Sequence, residues 1–167
     1  IRMIGDNHFG GVVQDEWFGD TRIGVPGDGN CLYHAVLSSL ASNQALLDRL
    51  DLPLNLRRCI RKHNIRAFRV LARRELLQNS ERYLDMLGGV EELYQEGVDT
   101  IVENGAWGGD LEIQVITSLL GCDIEVSMFS SNYGKGAEYG VLSSISNYVY
   151  DQPDSVRLYH PCLLYTS

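Results

Sequence analysis

The chain has 167 residues, of which 44% are hydrophobic and 22% are charged, a composition typical of one globular domain with its own core. Its net charge of −8 disfavours a general nucleic-acid binder, which needs a basic surface. No apolar run is long enough to span a bilayer, and the four cysteines lack zinc-ligand spacing. We therefore expect a cytoplasmic protein with reduced thiols and neither a metal nor an organic cofactor.

The first 20 residues are rich in glycine and acidic residues and have weak periodicity, so we expect an irregular segment with at most a short strand. The chain begins with Ile1 rather than Met, which suggests a fragment. Residues 21–25 are predicted to form a short extended piece before a polar turn.

The polar turn, of sequence GDGN, leads directly into Cys31 and an apolar-patterned helix predicted over residues 31–41. Unpaired N–H groups and the dipole at a helix N-terminus favour the nucleophilic thiolate form of a cysteine. The amides of Gly29 and Asn30 are candidates to shape an oxyanion pocket. In the alternative interpretation, Cys31 is a small buried hydrophobe after a common turn.

A basic helix is predicted over about Leu54 to Leu77, with allowance for a break. Its expected apolar stripe comprises Leu56, Ile60, Ala67, Val70, Leu71 and Leu77. Its other faces are expected to carry Arg57, Arg58, Arg61, Lys62, Arg66, Arg69, Arg73 and Arg74. Such a surface could contact nucleic acid or an acidic partner, but a solvated face is the usual interpretation.

Three shorter helices are predicted next, at 80–87, 90–102 and 111–120. Ser80 and Asp110 are the expected caps of the first and last of these helices, and Gly121 is the expected stop signal.

Hydrophobic and polar residues then alternate from Asp123 to Met128, which predicts a strand. Further strand candidates are Tyr139–Leu142, Tyr148–Tyr150 and Val156–Tyr159. Helices first and strands later favour an α+β fold in which helices pack around a small β-sheet.

Three segments together resemble a known family. Residues 28–35, DGNCLYHA, resemble the nucleophile motif of the ovarian tumour (OTU) family of cysteine proteases. Residues 107–114, WGGDLEIQ, resemble the segment that opens a later helix of that family, and residues 122–126, CDIEV, resemble the following strand. The resemblance implies a papain-related OTU-like domain over residues 21–160. The tail, residues 161–167, is similar to translated adapter or vector sequence.

The resemblance also implies the catalytic residues: Cys31 as nucleophile, a distant histidine as base, and Asp28 as its support. His160 matches the family position best, because it follows the last strand candidate. However, Pro161 and Cys162 follow it, where the family has an aromatic residue and then Asp or Asn. In the alternative, residues 156–160 precede a catalytic loop that this chain lacks, and Asp28 is only a turn residue.

The other histidines fit the role of base less well. His34 shares a helix with Cys31 and is expected to pack beside it, His63 is expected to be exposed among arginines, and His8 lies in the irregular segment. Trp107 is expected to be a core plug beneath the active site.

The implied function is a cysteine-dependent deubiquitinase that hydrolyses (iso)peptide bonds at the C-terminus of ubiquitin. Ubiquitin or polyubiquitin is the expected partner, with no nucleic-acid or membrane partner. The alternatives are a catalytically incomplete ubiquitin-binding module, a protease that processes a viral or mobile-element polyprotein, and an unrelated helical interaction domain.

Overall fold

The computed structural model describes residues 10–14, 21–24, 28–130, 141–146 and 156–162. These residues form seven helices and five strands. The helices are α1 (Cys31–Ala41), α2 (Gln44–Arg49), α3 (Leu54–Lys62), α4 (Ile65–Gln78), α5 (Ser80–Met86), α6 (Glu91–Thr100) and α7 (Asp110–Leu120). The strands are β1 (Gly10–Gln14), β2 (Thr21–Gly24), β3 (Ile124–Ser130), β4 (Val141–Ser146) and β5 (Val156–Cys162). Within this described part, no helix has the length and apolar character needed to cross a membrane.

Helix α1 lies at the centre of the fold. Eight of its eleven residues are buried, and the helix contacts β1, β2 and β5 as well as α2, α3 and α4. A helix that is apolar on nearly all sides must be enclosed, because no face of it interacts well with water. The element that begins at Cys31 is therefore held by both the sheet and the helices.

The strands form one sheet in the order β2-β1-β5-β3-β4. The β3–β5 pair is parallel and the other pairs are antiparallel. Strand β5 is central, since Leu158 pairs with Gly11 on one side and with Val126 on the other. Strands are confirmed at 21–24, 124–128 and 156–159 of the predicted segments, although Asp123 itself lies outside β3. Of the candidate Tyr139–Leu142, the described residues 141–142 begin β4, whereas Tyr148–Tyr150 lies outside the described residues.

The predicted basic helix is two helices, and the break has a local cause. His63 ends α3 in the left-handed conformation (φ 50°), and the Asn64 side chain then caps α4 by accepting from the Ala67 N–H at 3.0 Å. Helix α2 was not predicted, and Asn43 caps it by accepting from the Leu46 N–H at 3.1 Å.

The predicted apolar stripe is wrong at two positions. Val70 and Leu77 are 48% and 49% exposed. The side of α4 that the fold buries instead carries Phe68, Arg69, Ala72 and Leu76. The predicted stripe is displaced around α4 from the side that is buried, because a pattern of hydrophobic residues alone leaves out Arg69, which lies on the buried side.

The ends of α5 and α7 lie close to their predicted positions. The N-caps are one residue earlier than predicted, at Asn79 and Gly109 rather than at Ser80 and Asp110. Gly121 ends α7 with a positive φ of 62°, as predicted from its glycine.

Gly108, two residues before α7, packs closely against the helix of Cys31. A β-carbon at Gly108 would overlap the Leu32 side chain, which is fully buried. The neighbouring Gly109 has more room, since a β-carbon there would meet only Glu112 Oε2, at 3.7 Å. The first of the two glycines is thus required for close packing against α1.

Gly108→Ser is expected to lower the free energy of unfolding by about 1–3 kcal/mol, because the added atoms would displace the buried Leu32 side chain and overpack the core. Gly109→Ser, the matched control, is expected to change it by less than about 0.5 kcal/mol, since serine is favoured at a helix N-cap. Urea denaturation measures both values. Equal losses in the two variants would contradict the packing of Gly108 on Leu32.

Candidate catalytic centre

Cys31 is the first residue of α1 and is only 1% exposed. Its N–H donates to the Asp28 carbonyl at 3.1 Å, which closes the turn that delivers the chain into the helix. Residues 28–30, which we term the nucleophile loop, therefore fix the position of the thiol at the helix N-terminus, where helix dipoles favour negative charge.

Asp28 is exposed, and its carboxylate shapes the nucleophile loop. Asp28 Oδ1 accepts a hydrogen bond from the Asn30 N–H at 2.9 Å. Carboxylates that bond to the backbone two residues later stabilise tight turns. The Asn30 amide, predicted as a candidate for the oxyanion pocket, is thus engaged by Asp28 in this structure.

His160 lies in the central strand β5 and is aligned with Met128 of β3. The structure describes the backbone of His160 but not its side chain. Val156 and Leu158, at alternate positions along the same strand, are buried in the core cluster that also contains Cys31. The fold therefore packs the strand of His160 against the helix of Cys31, while the contact between the two side chains stays a prediction.

Arg69 is the main feature of the site that the sequence interpretation missed. It was assigned to a solvated face, but it is only 1% exposed. Its guanidinium lies 3.9 Å from the centre of the Tyr33 ring and donates hydrogen bonds to the nucleophile loop and to the segment after α6. The signal in the sequence was its spacing, four residues after Ile65 and three before Ala72.

The hydrogen bonds of Arg69 tie together three parts of the chain. Nη2 donates to Asn30 Oδ1 (2.7 Å), to the Gly29 carbonyl (3.2 Å) and to the Ala106 carbonyl (2.8 Å). Nη1 donates to the Ile101 carbonyl at 3.1 Å, and Nε donates to Asn30 Oδ1 at 3.2 Å. The planar guanidinium fork suits such multiple recognition, and all of these acceptors are neutral oxygens.

Asn30 makes further contacts between the nucleophile loop and the segment after α6. We term these contacts, together with those of Arg69, the junction. Its Oδ1 also accepts from the Gly105 N–H at 3.1 Å, and its Nδ2 donates to Asn104 Oδ1 at 3.0 Å. Gly29 lies directly against Gly105, since a β-carbon at Gly29 would overlap the Gly105 carbonyl. The nucleophile loop is therefore held between Arg69 and residues 104–106.

Within the described part of the chain, the buried guanidinium of Arg69 has no carboxylate among its hydrogen-bond partners. Burial lowers the pKa of Arg69, while the neighbouring Tyr33, Glu112 and Asp28 oppose this effect. Burial likewise raises the pKa of Tyr33, against the opposing charge of Arg69. The negative charges of Asp28 and Glu112 thus partly offset the cost of burying the guanidinium.

His34 and His63 form a stacked pair beside the loop. Their ring centres are 5.0 Å apart, and His34 Nδ1 lies 2.7 Å from His63 Nε2. Burial lowers the pKa of His34, the neighbouring His63 lowers it further, and Asp28 opposes both effects. His63 is exposed, as predicted, but its ring also anchors His34.

Trp107 is 58% exposed, so its predicted role as a core plug is wrong. The fold buries Leu32 against Gly108 instead, which leaves the adjacent indole at the surface. Across the described ranges, no three His, Cys, Asp or Glu side chains are grouped as metal ligands.

Arg69→Met is expected to lower the free energy of unfolding by about 2–4 kcal/mol, because it leaves several buried acceptors without donors. Arg69→Lys is expected to be intermediate, since an ammonium keeps the charge but not the fork. Arg74→Met, exposed on the same helix, should change the value by less than about 0.5 kcal/mol. Chemical denaturation compares the three variants, and equal effects of Arg69→Met and Arg74→Met would refute the structural role of Arg69.

The pKa of His34 tests the local geometry, because substitutions at its two neighbours should shift it in opposite directions. His63→Gln is expected to raise the pKa of His34, because the electrostatic effect of His63 that lowers it is removed, and Asp28→Asn is expected to lower it. NMR titration of the His34 ring measures both changes. Because folding lowers this pKa, His34 should stabilise the fold fully above its ordinary value of 6.5, and less as the pH falls below it. A His34 pKa that neither substitution moves would contradict these contacts.

Comparison with known proteins agrees with the three motifs. The model of the family described as OTU-like cysteine protease matches residues 26–167, which include the nucleophile loop, Trp107 and β5. A comparison with curated proteins finds no match. Since the family match covers well over half of the chain, the protein belongs to the OTU-like cysteine protease family.

Proposed function

We propose that this chain is a cysteine-dependent deubiquitinase that cleaves (iso)peptide bonds at the C-terminus of ubiquitin. The observation that carries the proposal is the position of Cys31, at the start of an enclosed helix and behind a loop held by Arg69 and Asn30. A nucleophile fixed in this way loses little entropy on reaching the attacking geometry. Membership of the OTU-like cysteine protease family supports the same reaction class.

In the proposed reaction, the Cys31 thiolate attacks the carbonyl carbon at the C-terminus of ubiquitin. The histidine base, assigned to His160, takes the thiol proton and later donates it to the departing amine. Water, activated by the same histidine, then hydrolyses the thioester and restores the thiol. The reaction needs no metal or organic cofactor.

We assign Asp28 two roles in this mechanism. Its bond to the Asn30 N–H holds the turn that presents Cys31, and its negative charge supports the imidazolium that forms on the base. Trp107, exposed beside the helix of Cys31, offers an apolar surface to an incoming ubiquitin tail.

The proposal includes a papain-related α+β domain over residues 21–160 that acts in the cytoplasm. Helix α1 packs against the five-stranded sheet and also against α2, α3 and α4. This packing is consistent with the proposed architecture. Ubiquitin or polyubiquitin is the proposed partner.

One observation favours a second candidate function, a ubiquitin-binding module without full activity. Strand β5 continues beyond His160 to Cys162, with Pro161 aligned with Phe129 and Cys162 with Ser130. A catalytic histidine that opens into a loop would not need this continued pairing. In the second candidate, the domain binds ubiquitin but lacks a working base.

Ubiquitin that carries a C-terminal electrophile is expected to label this chain, and Cys31→Ala is expected to abolish the labelling. Cys59→Ala, which removes another buried thiol, is the matched control and should label at close to the rate of the unaltered chain. His160→Ala is expected to slow labelling by about 100-fold or more, because it removes the proposed base. Intact-protein mass spectrometry follows each reaction.

Labelling that persists in Cys31→Ala would refute the assignment of the nucleophile. Labelling lost in Cys31→Ala but retained in His160→Ala would reject His160 as the base. Ubiquitin binding with no labelling at all would favour the binding module.

A further inference from the structure

A groove of about 570 Å³ lies between α3 and α4, and four cationic side chains converge on it. They are Arg58 and Lys62 of α3 and Arg66 and Arg74 of α4. No carboxylate is among the described residues that line it. In a chain with a net charge of −8, such a concentration of positive charge is unusual.

All four cationic side chains are exposed, and none of them has a hydrogen bond or ion pair with any part of the chain that the structure describes. Like charges gathered around a concave surface repel one another, and a cleft lined with one sign of charge attracts the opposite sign. The groove is therefore suited to an anionic ligand.

The apolar part of the groove lining, which we term the floor, comprises Cys59, Ala67, Val70 and Leu71. Cys59 is 5% exposed, and burial raises the pKa of its thiol, so this sulfur stays neutral. Val70 is 48% exposed at the same surface, although it is a hydrophobic side chain. An anionic ligand that also presents an apolar group would thus bury surface that the chain itself leaves in water.

The groove is separate from the catalytic centre. Arg69 is directed into the fold towards the nucleophile loop, whereas Arg66, Val70 and Arg74, spaced four residues apart, share a different face of α4. A ligand in the groove would therefore occupy a different face of α4 from the one that holds the nucleophile loop.

We propose that the α3–α4 groove is a docking site for an acidic peptide segment of a partner protein, with at least one aliphatic side chain seated on the floor. The apolar floor favours a peptide over a bare phosphate, and the net negative charge of the chain disfavours nucleic acid. The inference does not depend on ubiquitin being the substrate.

The test is fluorescence anisotropy with a fluorescein-labelled glutamate-rich peptide that contains one central leucine. Binding is expected to weaken as salt increases, because exposed charges are screened. Arg66→Glu combined with Arg74→Glu should weaken it by about tenfold or more, since two attractive charges become repulsive. Replacement of the leucine by serine in the peptide should also weaken binding.

The matched control is Arg61→Glu combined with Arg82→Glu, which changes the net charge equally but lies outside the groove. This control is expected to retain most of the affinity. Circular dichroism checks that both double variants are folded, and Arg66→Gln with Arg74→Gln replaces the charge reversal if it unfolds the chain.

Equal weakening in the two charge-reversed variants would overturn the proposal, because it would assign binding to the overall field rather than to the groove. Tripolyphosphate or single-stranded RNA that binds where the peptide does not would also overturn it. Insensitivity to loss of the leucine would reject the role of the apolar floor.

Discussion

The buried guanidinium of Arg69 is the interaction on which the rest of this structure depends. Charged groups are costly to bury, and among the residues that the structure describes no carboxylate is hydrogen-bonded to the cation; neutral oxygens from the nucleophile loop and from the segment after α6 surround it instead. The contact with the Tyr33 ring and the nearby charges of Asp28 and Glu112 offset part of the cost. Because its donors are satisfied only when these segments meet, Arg69 selects one arrangement of the loop beneath Cys31.

This junction explains how a helical lobe and a sheet produce one site. Helix α1 is fixed by the sheet behind it and by the helices around it, so Cys31 cannot move independently of the core. Arg69 of α4 and the segment at Gly105 then fix the turn before the cysteine, and Gly108 brings α7 close to Leu32. The position of Cys31 is thus set by contacts from the sheet, from α4, from α7 and from the segment at Gly105, as expected for a preorganised site. The α3–α4 groove lies on another face of the same supporting helix, so the proposed peptide would bind away from the face of α4 that holds the nucleophile loop.

The sequence predicted the features that arise locally, and it failed where tertiary contacts decide. The helix beginning at Cys31 and the stop at Gly121 were predictable, because turn residues and periodicity act over a few residues. Arg69 was assigned to solvent, since arginine is rarely buried and its partners lie more than 30 residues away. Trp107 failed for the opposite reason: large aromatic residues are usually buried, but Leu32 already fills the space against Gly108. The family resemblance rested on three short motifs, whereas the role of His160 depends on a side-chain contact that no local pattern encodes.

The most direct test of the central claim, that Cys31 is the nucleophile, is to map the covalent adduct formed by the unaltered chain with electrophilic ubiquitin. Trypsin separates the cysteines: Cys31 falls in the peptide spanning residues 23–49, and Cys59 falls in the peptide spanning 59–61. We predict that the ubiquitin remnant appears on Cys31 in the 23–49 peptide and on no other cysteine. A remnant on Cys59, Cys122 or Cys162 with an unmodified 23–49 peptide would contradict the assignment of the catalytic centre.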